Sequence, residues 1–250
     1  MTDGPRVEAI DRALNLLTAL AEAGAAGAPL TELAASTGVN KSTAYRALST
    51  MRAHGFVSQS EASGDYRLGV VAMSLGDRFL TPQSLALSLH PALVTLSREA
   101  DELVHLGVLV GDQVMYLDKV EPERAIRVWS QVGQRTAAAS SAMGRALLAA
   151  RDVPDGQLAA YLHHSRVTLE QLVAAVHATR VRGYSTEIEE NEPGVACLGT
   201  AVMQGAGPVA ALSITMQAER LTLARQQELS KLIRDVLPPL LPDGLSLPAL

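Results

Sequence analysis

Apolar residues recur at helical spacing from the start of the chain. Val7, Ile10, Leu14 and Leu17 stand three or four apart, which predicts a helix over residues 7–23. The run GAAGAP breaks the pattern. A second helix is expected to start near Thr31, a suitable N-cap with Glu32 in its first turn, and to end at Gly38, which tolerates a left-handed backbone. A third follows at once, opening at Asn40 or Lys41, with Ala44, Ala47, Leu48 and Met51 on its core side. Two extended runs, Val57–Ser60 and Tyr66–Leu68, then flank SEASGD and read as a hairpin. Two helices joined by a three- or four-residue turn and followed by a hairpin form a winged helix-turn-helix pattern.

Leu68, Ala72, Leu75 and Phe79 form one stripe, predicting a linking helix over 69–80. Leu85 to Ala100 is again helical in pattern. LVHLGVLV and VMYLDKV read as strands joined by Gly111-Asp112, a hairpin turn, and AIRVWSQ as a third strand. Helical patterns follow at 142–150, 156–163 and 168–182, then strands at Cys197–Gln204 and Val209–Thr215, then a helix over about 219–236. The proline-rich end, LPPLLPDGLSLPAL, is expected to lack regular structure. The expected fold is a mostly helical winged head on an α+β body. The expected boundaries are 1–68 for the head, 69–81 for a linker helix, 82–238 for the body and 239–250 for a flexible tail.

With 250 residues, 48% of them hydrophobic and 19% charged, the chain has a globular composition. No apolar run reaches the roughly 20 residues that span a bilayer. The opening MTDGPRVEAIDRAL has no basic stretch before an apolar core, so no signal peptide is expected. One cysteine, Cys197, rules out a disulfide within the chain and suits a reducing, cytoplasmic setting. The net charge is −5, yet from 40 to 60 the only charged residues are Lys41, Arg46 and Arg52. Opposite the Ala44–Leu48–Met51 side, the third helix presents Ser42, Tyr45, Arg46 and Ser49, with Asn40, Lys41 and Thr43 at its start. Such groups can contact phosphates and base edges of a DNA operator. Gln59 and Arg67 on the wing are candidates for the adjacent backbone or minor groove.

In order and spacing, AIDRALNLLTAL, LTELAASTGVNKSTAYRAL, GFV and YRLG resemble the isocitrate lyase regulator (IclR) family of bacterial transcription factors. So do LGVLVGDQVMYLDKV, VGQRTAAASSAMGRALLA, RVRGYSTEIEENEPGVACLGTAV and GPVAALSIT, and the likeness covers nearly the whole chain. It implies an effector domain like a GAF domain, with a six-stranded antiparallel sheet, and dimers that pair into tetramers. It also implies an effector pocket built from Ser140, Ser141, Ala142, Met143 and Gly144, from Glu187 and Cys197, and from Ser213 and Thr215. Ser213 and Thr215 are two apart on a strand and so share a face. Trp129, the only tryptophan, is a candidate pocket wall. Where many members have Pro-Leu-His, this chain has Ala137-Ala138-Ala139, which removes a histidine able to bond a carboxylate ligand. The expected effector is a small organic acid or aromatic metabolite with an apolar body and at least one donor group.

EIEENE at 187–192 reads as a charged loop more readily than as a metal site, and His163-His164 as a surface pair on a helix. No G-x-S-x-G elbow, phosphate loop or dinucleotide fingerprint appears, and no cofactor is expected. A ligand-responsive DNA-binding regulator, a repressor of a metabolic operon, is therefore the leading reading. The alternative is a small-molecule enzyme or carrier that uses the head for oligomerisation.

Overall fold

The computed structural model describes residues 7–79, 81–123, 128 and 130–249, the side chains of 76–79 excepted. The chain divides into two compact units, Met1–Leu80 and Thr81–Leu250.

In the first unit, helix α1 spans Glu8–Ala23, α2 Leu30–Thr37 and α3 Lys41–Ala53; strands β1 (Val57–Gln59) and β2 (Tyr66–Leu68) form the hairpin and α4 spans Val70–Phe79. Of the stripe that marks α1 as a helix, Leu17 packs against the core and the rest does not. Leu16 and Leu20 are fully buried, whereas Val7, Ile10 and Leu14 are 62%, 58% and 56% exposed. Two apolar stripes run along this helix, and spacing alone does not say which one meets the core. The core takes the side of Leu16 and Leu20 and packs it with Leu33, Ala44, Leu48, Met51, Val57 and Tyr66. Thr31 is not the N-cap of α2; Pro29 holds that position and no side chain caps the helix. Gly38 does end α2, at φ 67° and ψ 14°, a left-handed conformation natural to glycine that turns the chain into α3. Asn40 caps α3, its Oδ1 accepting from Thr43 N at 2.9 Å. The helix buries Ala44, Leu48 and Met51 as expected. Along α4, Leu75 is exposed, so the expected stripe is only partly covered. Val71 N donates to Gly55 O at 3.1 Å, tying the start of α4 to this unit.

The second unit opens with α5 (Pro82–Ala100), hairpin strands β3 (Leu103–Val110) and β4 (Gln113–Val120), and β5 (Arg135–Ala137). Helices α6 (Ala142–Ala150), α7 (Asp155–Leu158) and α8 (Leu169–Arg182) precede β6 (Ser185–Ile188), β7 (Val195–Gln204) and β8 (Gly207–Gln217). Helix α9 (Leu223–Val236) and a short β9 (Leu245–Ser246) complete it. The sheet has seven strands, six in the order β5-β4-β3-β8-β7-β6, with β9 paired to β7. The described pairings are antiparallel. Helices α5 and α9 pack together, α5 lies against β3 and β4, and α6 lies against β6, β7 and β8.

The expected strand AIRVWSQ falls largely on residues 124–127 and 129, outside the described residues. The strand beside β4 is β5, and β6 is a further strand that the sequence pattern did not predict. Residues 239–250 are also not without regular structure. Leu245 and Ser246 pair with Gln204 and Met203, and Leu245 is buried. Composition hid this pairing because Pro242 and Pro248 flank the strand without occupying it. His163 and His164 lie in a turn, not on a helix. Helix α9 starts at Leu223, capped by the Thr222 hydroxyl, four residues later than expected.

Candidate functional site

The outer side of α3 carries the residues expected there. Lys41, Ser42, Tyr45 and Arg46 are exposed, and Thr43 and Ser49 are half-buried. Several of the expected contacts are also tied into the scaffold. Asn40 Oδ1 accepts from Ser42 Oγ at 2.8 Å as well as from Thr43 N. Arg52 Nη1 donates to Gln59 Oε1 at 2.5 Å, and Gln59 Nε2 donates to Gly64 O at 2.9 Å, so these two side chains brace α3 against the hairpin. Arg67 Nε donates to Ala26 O at 3.1 Å, back toward the loop after α1.

In the second unit, strand register brings the expected effector residues together. Glu187, Cys197 and Thr215 are successive cross-strand partners on β6, β7 and β8. Ser185, Gly199, Ser213 and His105 form the next row, across β6, β7, β8 and β3. Directly paired residues share a sheet face, so these side chains point to one side. The start of α6 lies over that side: Ser185 Oγ is 2.5 Å from Ala142 O and 3.1 Å from Gly199 O. Ser141 caps α6, accepting from Gly144 N at 3.1 Å. A Cβ at Gly144 would lie 2.2 Å from Ala138 O and 2.4 Å from Ala138 Cα, so only glycine lets the 137–141 loop press against the helix. Ser140, Ser141, Ala142, Met143, Glu187, Ser213 and Thr215 are all buried. Cys197 keeps a partial opening.

Arg145, 3% exposed, fastens this region. Its Nε donates to Ala139 O at 2.9 Å, Nη1 to Thr186 O at 2.8 Å, and the guanidinium pairs with Glu190. Glu187 Oε1 accepts from the backbone N–H of Glu190 at 2.7 Å and of Asn191 at 3.0 Å. Thr136 Oγ1 donates to Asn191 Oδ1 at 2.7 Å. Burial raises the Glu187 carboxyl above its usual range, and the two backbone N–H groups pull it back only in part. Burial also pushes up the Cys197 thiol, with the neighbouring Glu187 adding to the effect. The 187–192 segment is therefore a closing loop rather than an open carboxylate cluster, and Glu189 turns out of the strand at φ 57°. Among the described residues no group of three or more His, Cys, Asp or Glu is placed to hold a metal.

Sequence reasoning missed the histidine. It lies on β3, not in the 137–139 loop. His105 is buried, its Nδ1 3.2 Å from Thr215 Oγ1 and its Nε2 2.8 Å from Ser130 Oγ. Thr215 Oγ1 is also 3.2 Å from Cys197 Sγ. The imidazole stacks on Tyr116 with ring centroids 4.8 Å apart. Burial, then the charge of Lys119, lowers its pKa to about 4, so the ring is neutral near pH 7. One polar residue inside the apolar run LVHLGVLV was the available signal. Trp129 lies outside the described residues.

Two family models match the chain: "IclR helix-turn-helix domain" over residues 9–61 and "Bacterial transcriptional regulator IclR C-terminal" over residues 78–237. The HTH-type transcriptional regulator KdgR of Escherichia coli is 33% identical over 230 residues, spanning 89% of this chain and 87% of its own length. The transcriptional repressor IclR of the same organism is 32% identical over 240 residues, spanning 91% of this chain and 86% of its own. An IclR homolog from Microbacterium hydrocarbonoxydans, solved in complex with 4-hydroxybenzoate, shares the fold at a TM-score of 0.54 and 18% identity, covering 93% of this chain and 100% of that one.

Proposed function

Because the chain belongs to the IclR family of bacterial transcriptional regulators, we propose that it reads its operator with the outer side of α3 and its effector at the face of β6, β7, β8 and β3 beneath α6. The family makes the protein a ligand-responsive DNA-binding regulator and not an enzyme. The observation that carries the operator assignment is the division of α3. Ala44, Leu48 and Met51 are buried, while Lys41, Ser42, Tyr45 and Arg46 are exposed with no acidic residue among them.

In this reading α3 lies in the major groove. Lys41 and Arg46 contact phosphate or guanine, and Ser42, Thr43, Tyr45 and Ser49 fix the register. Asn40, Arg52, Gln59 and Arg67 hold the helix and wing in place and contact the backbone with the donors they have left. Residues 1–68 act as the head, 69–81 as the linker and 82–238 as the effector domain. The protein acts as a cytoplasmic repressor of a metabolic operon. Two copies bind an operator with pseudo-twofold symmetry and pair into a dimer of dimers. The exposed stripe Val7, Ile10 and Leu14 supports a second copy against α1, since an isolated head gains nothing by leaving it in water.

The effector is a small organic acid or aromatic metabolite, held by Ser213, Thr215 and Cys197 and by the start of α6 (Ser140 to Gly144), with Glu187 at one end. Trp129 is a candidate wall of this site. The effector shifts DNA affinity by binding one state better than the other, and by no more than that difference. Hydroxyl-radical footprinting on the DNA upstream of the protein's own gene tests the operator assignment. A protected, pseudo-symmetric site that vanishes in Arg46→Ala supports it, and an unchanged footprint in that variant refutes it.

A further inference from the structure

The polar residues of the effector site are ordered by charge. Glu187 lies at one end, on β6, and Lys119, the cross-strand partner of His105 on β4, lies at the other. Between them runs a continuous chain of contacts. Cys197 Sγ meets Thr215 Oγ1 at 3.2 Å, Thr215 Oγ1 meets His105 Nδ1 at 3.2 Å, and His105 Nε2 meets Ser130 Oγ at 2.8 Å. Lys119 Nζ then donates to Ser130 O at 2.9 Å and to Glu121 Oε1 at 2.7 Å. An anion buried here needs a positive or donating partner, because an unpaired carboxylate in a dry site costs several kcal/mol. Arg145 cannot serve, since its guanidinium is committed to Ala139 O, Thr186 O and Glu190. Lys119 already holds Glu121. His105 is left, a buried imidazole one step along the sheet from Thr215.

We propose that His105 is the group that reads the acid function of the effector, and that an organic anion enters this site together with one proton taken from solvent onto the imidazole. The inference rests on the effector-site reading given above and extends it. In the free protein the ring is neutral and carries one N–H. Its partners at both nitrogens are hydroxyls, which can donate or accept, so the ring can gain a second N–H without leaving a donor facing a donor. Stacking on Tyr116 fixes the ring plane, and burial keeps the Tyr116 phenol protonated. Of the charged groups that act on the ring, Lys119 opposes its protonation and Glu121 favours it. A carboxylate beside the ring supplies the missing counter-charge.

The same polarity orients the ligand. Its acid group faces His105, and its other end meets Glu187, where a hydroxyl or amine donor satisfies the carboxyl. Glu187 and His105 stand three strands apart, roughly 14 Å at about 4.8 Å per strand. The His105 ring leans back to within 3.2 Å of Thr215 Oγ1, which shortens the gap toward the length of a molecule built on a single ring. The effector class is thus a monocarboxylate bearing a donor at the far end.

The test uses the full chain and a panel of benzoate, 4-hydroxybenzoate, phenylacetate and 4-hydroxyphenylacetate, each beside its primary amide. Calorimetric titration in two buffers of different ionisation enthalpy counts protons bound, and imidazole nitrogen NMR of the unmutated protein reports the His105 charge. At least one acid is expected to bind about tenfold or more tighter than its amide. Its affinity is expected to fall about tenfold per pH unit where one proton is taken up. The ring is expected to move to the imidazolium pattern, and His105→Gln to bind the acid with a flat pH profile. Equal binding of acids and amides, no binding by any acid of the panel, or an acid bound with a neutral ring and no proton uptake each overturns the proposal. The double variant Ser213→Ala/Thr215→Val separates the two levels. Unchanged acid binding there refutes the effector-site reading itself. Binding lost there, with a ring that stays neutral in the unmutated complex, refutes only the role of His105.

Discussion

Replacing Arg145 by Met removes the fastening of the proposed effector site while keeping most of the side-chain volume. Three partners lose their donor: Ala139 O in the 137–141 loop, Thr186 O on β6, and Glu190 in the loop after it. Glu190 is 36% exposed and can turn to water, so its loss contributes less than about 1 kcal/mol. The two carbonyls are different, because Arg145 fills the space between them and Met offers no proton. An orphaned buried acceptor costs about 1–3 kcal/mol, and Thr186 O is only partly buried where Ala139 O is fully so, so the pair together costs about 2–4 kcal/mol. In a domain of this size 1 kcal/mol moves the melting temperature by about 2–4 °C, which gives a fall of about 10 °C. Calorimetry on the full chain reads this directly, and the transition of the second unit is expected to move while that of the first does not. Arg145→Lys, which keeps the charge but not the fork, should fall between the two. A loss of less than about 3 °C in Arg145→Met refutes the claim that this side chain holds the two loops together.

Gly144→Ala places a methyl against the Ala138 backbone, so effector binding should weaken by at least about tenfold with α6 displaced; an unshifted melting curve and unchanged binding contradict the packing described. Ser213→Ala/Thr215→Val should abolish the effect of the effector on DNA binding, with operator affinity in its absence measured as the control for folding. The lowered pKa of His105 means that the unfolded chain binds its proton first, so stability contributed by the neutral ring is full above pH 6.5 and is lost as pH falls toward about 4. At 1.36 kcal/mol per unit that loss approaches about 3 kcal/mol, and urea titrations of His105→Gln over the same range should show a correspondingly shallower acid limb.

The head was legible because each local signal agreed with its neighbours. Gly38 stops α2, Asn40 caps α3, and a period of three to four places Ala44, Leu48 and Met51 on one side. The spacing of Val7, Ile10, Leu14 and Leu17 marks α1 as a helix but does not say which residues meet the core: Leu17 packs against it beside the fully buried Leu16 and Leu20, while Val7, Ile10 and Leu14 stay exposed. In the effector domain Ser213 and Thr215 were paired correctly by strand alternation. His105, which bonds Thr215, sits 110 residues from it, and Ser130, which bonds His105, sits 25 residues from that ring, so no local pattern links the three. Strands β5, β6 and β9 are short, three, four and two residues, and take their pairing from the longer strands beside them. Arg145 reads in sequence as an ordinary charge on a helix, and its burial becomes visible only when β6 and the 137–141 loop close over it.

The most direct test of the account is operator affinity of the unmutated protein and of Arg46→Ala, measured by fluorescence anisotropy on one labelled duplex between about 50 and 200 mM salt. The account predicts that log affinity falls linearly and steeply with log salt, with a slope near −0.9 for each phosphate neutralised. It predicts that Arg46→Ala loses about 1–3 kcal/mol, with reduced discrimination at one base pair and an unchanged melting temperature. A flat salt dependence, or an Arg46→Ala protein that binds the duplex as tightly and as selectively as the unmutated one, would contradict the assignment of α3 as the element that reads DNA.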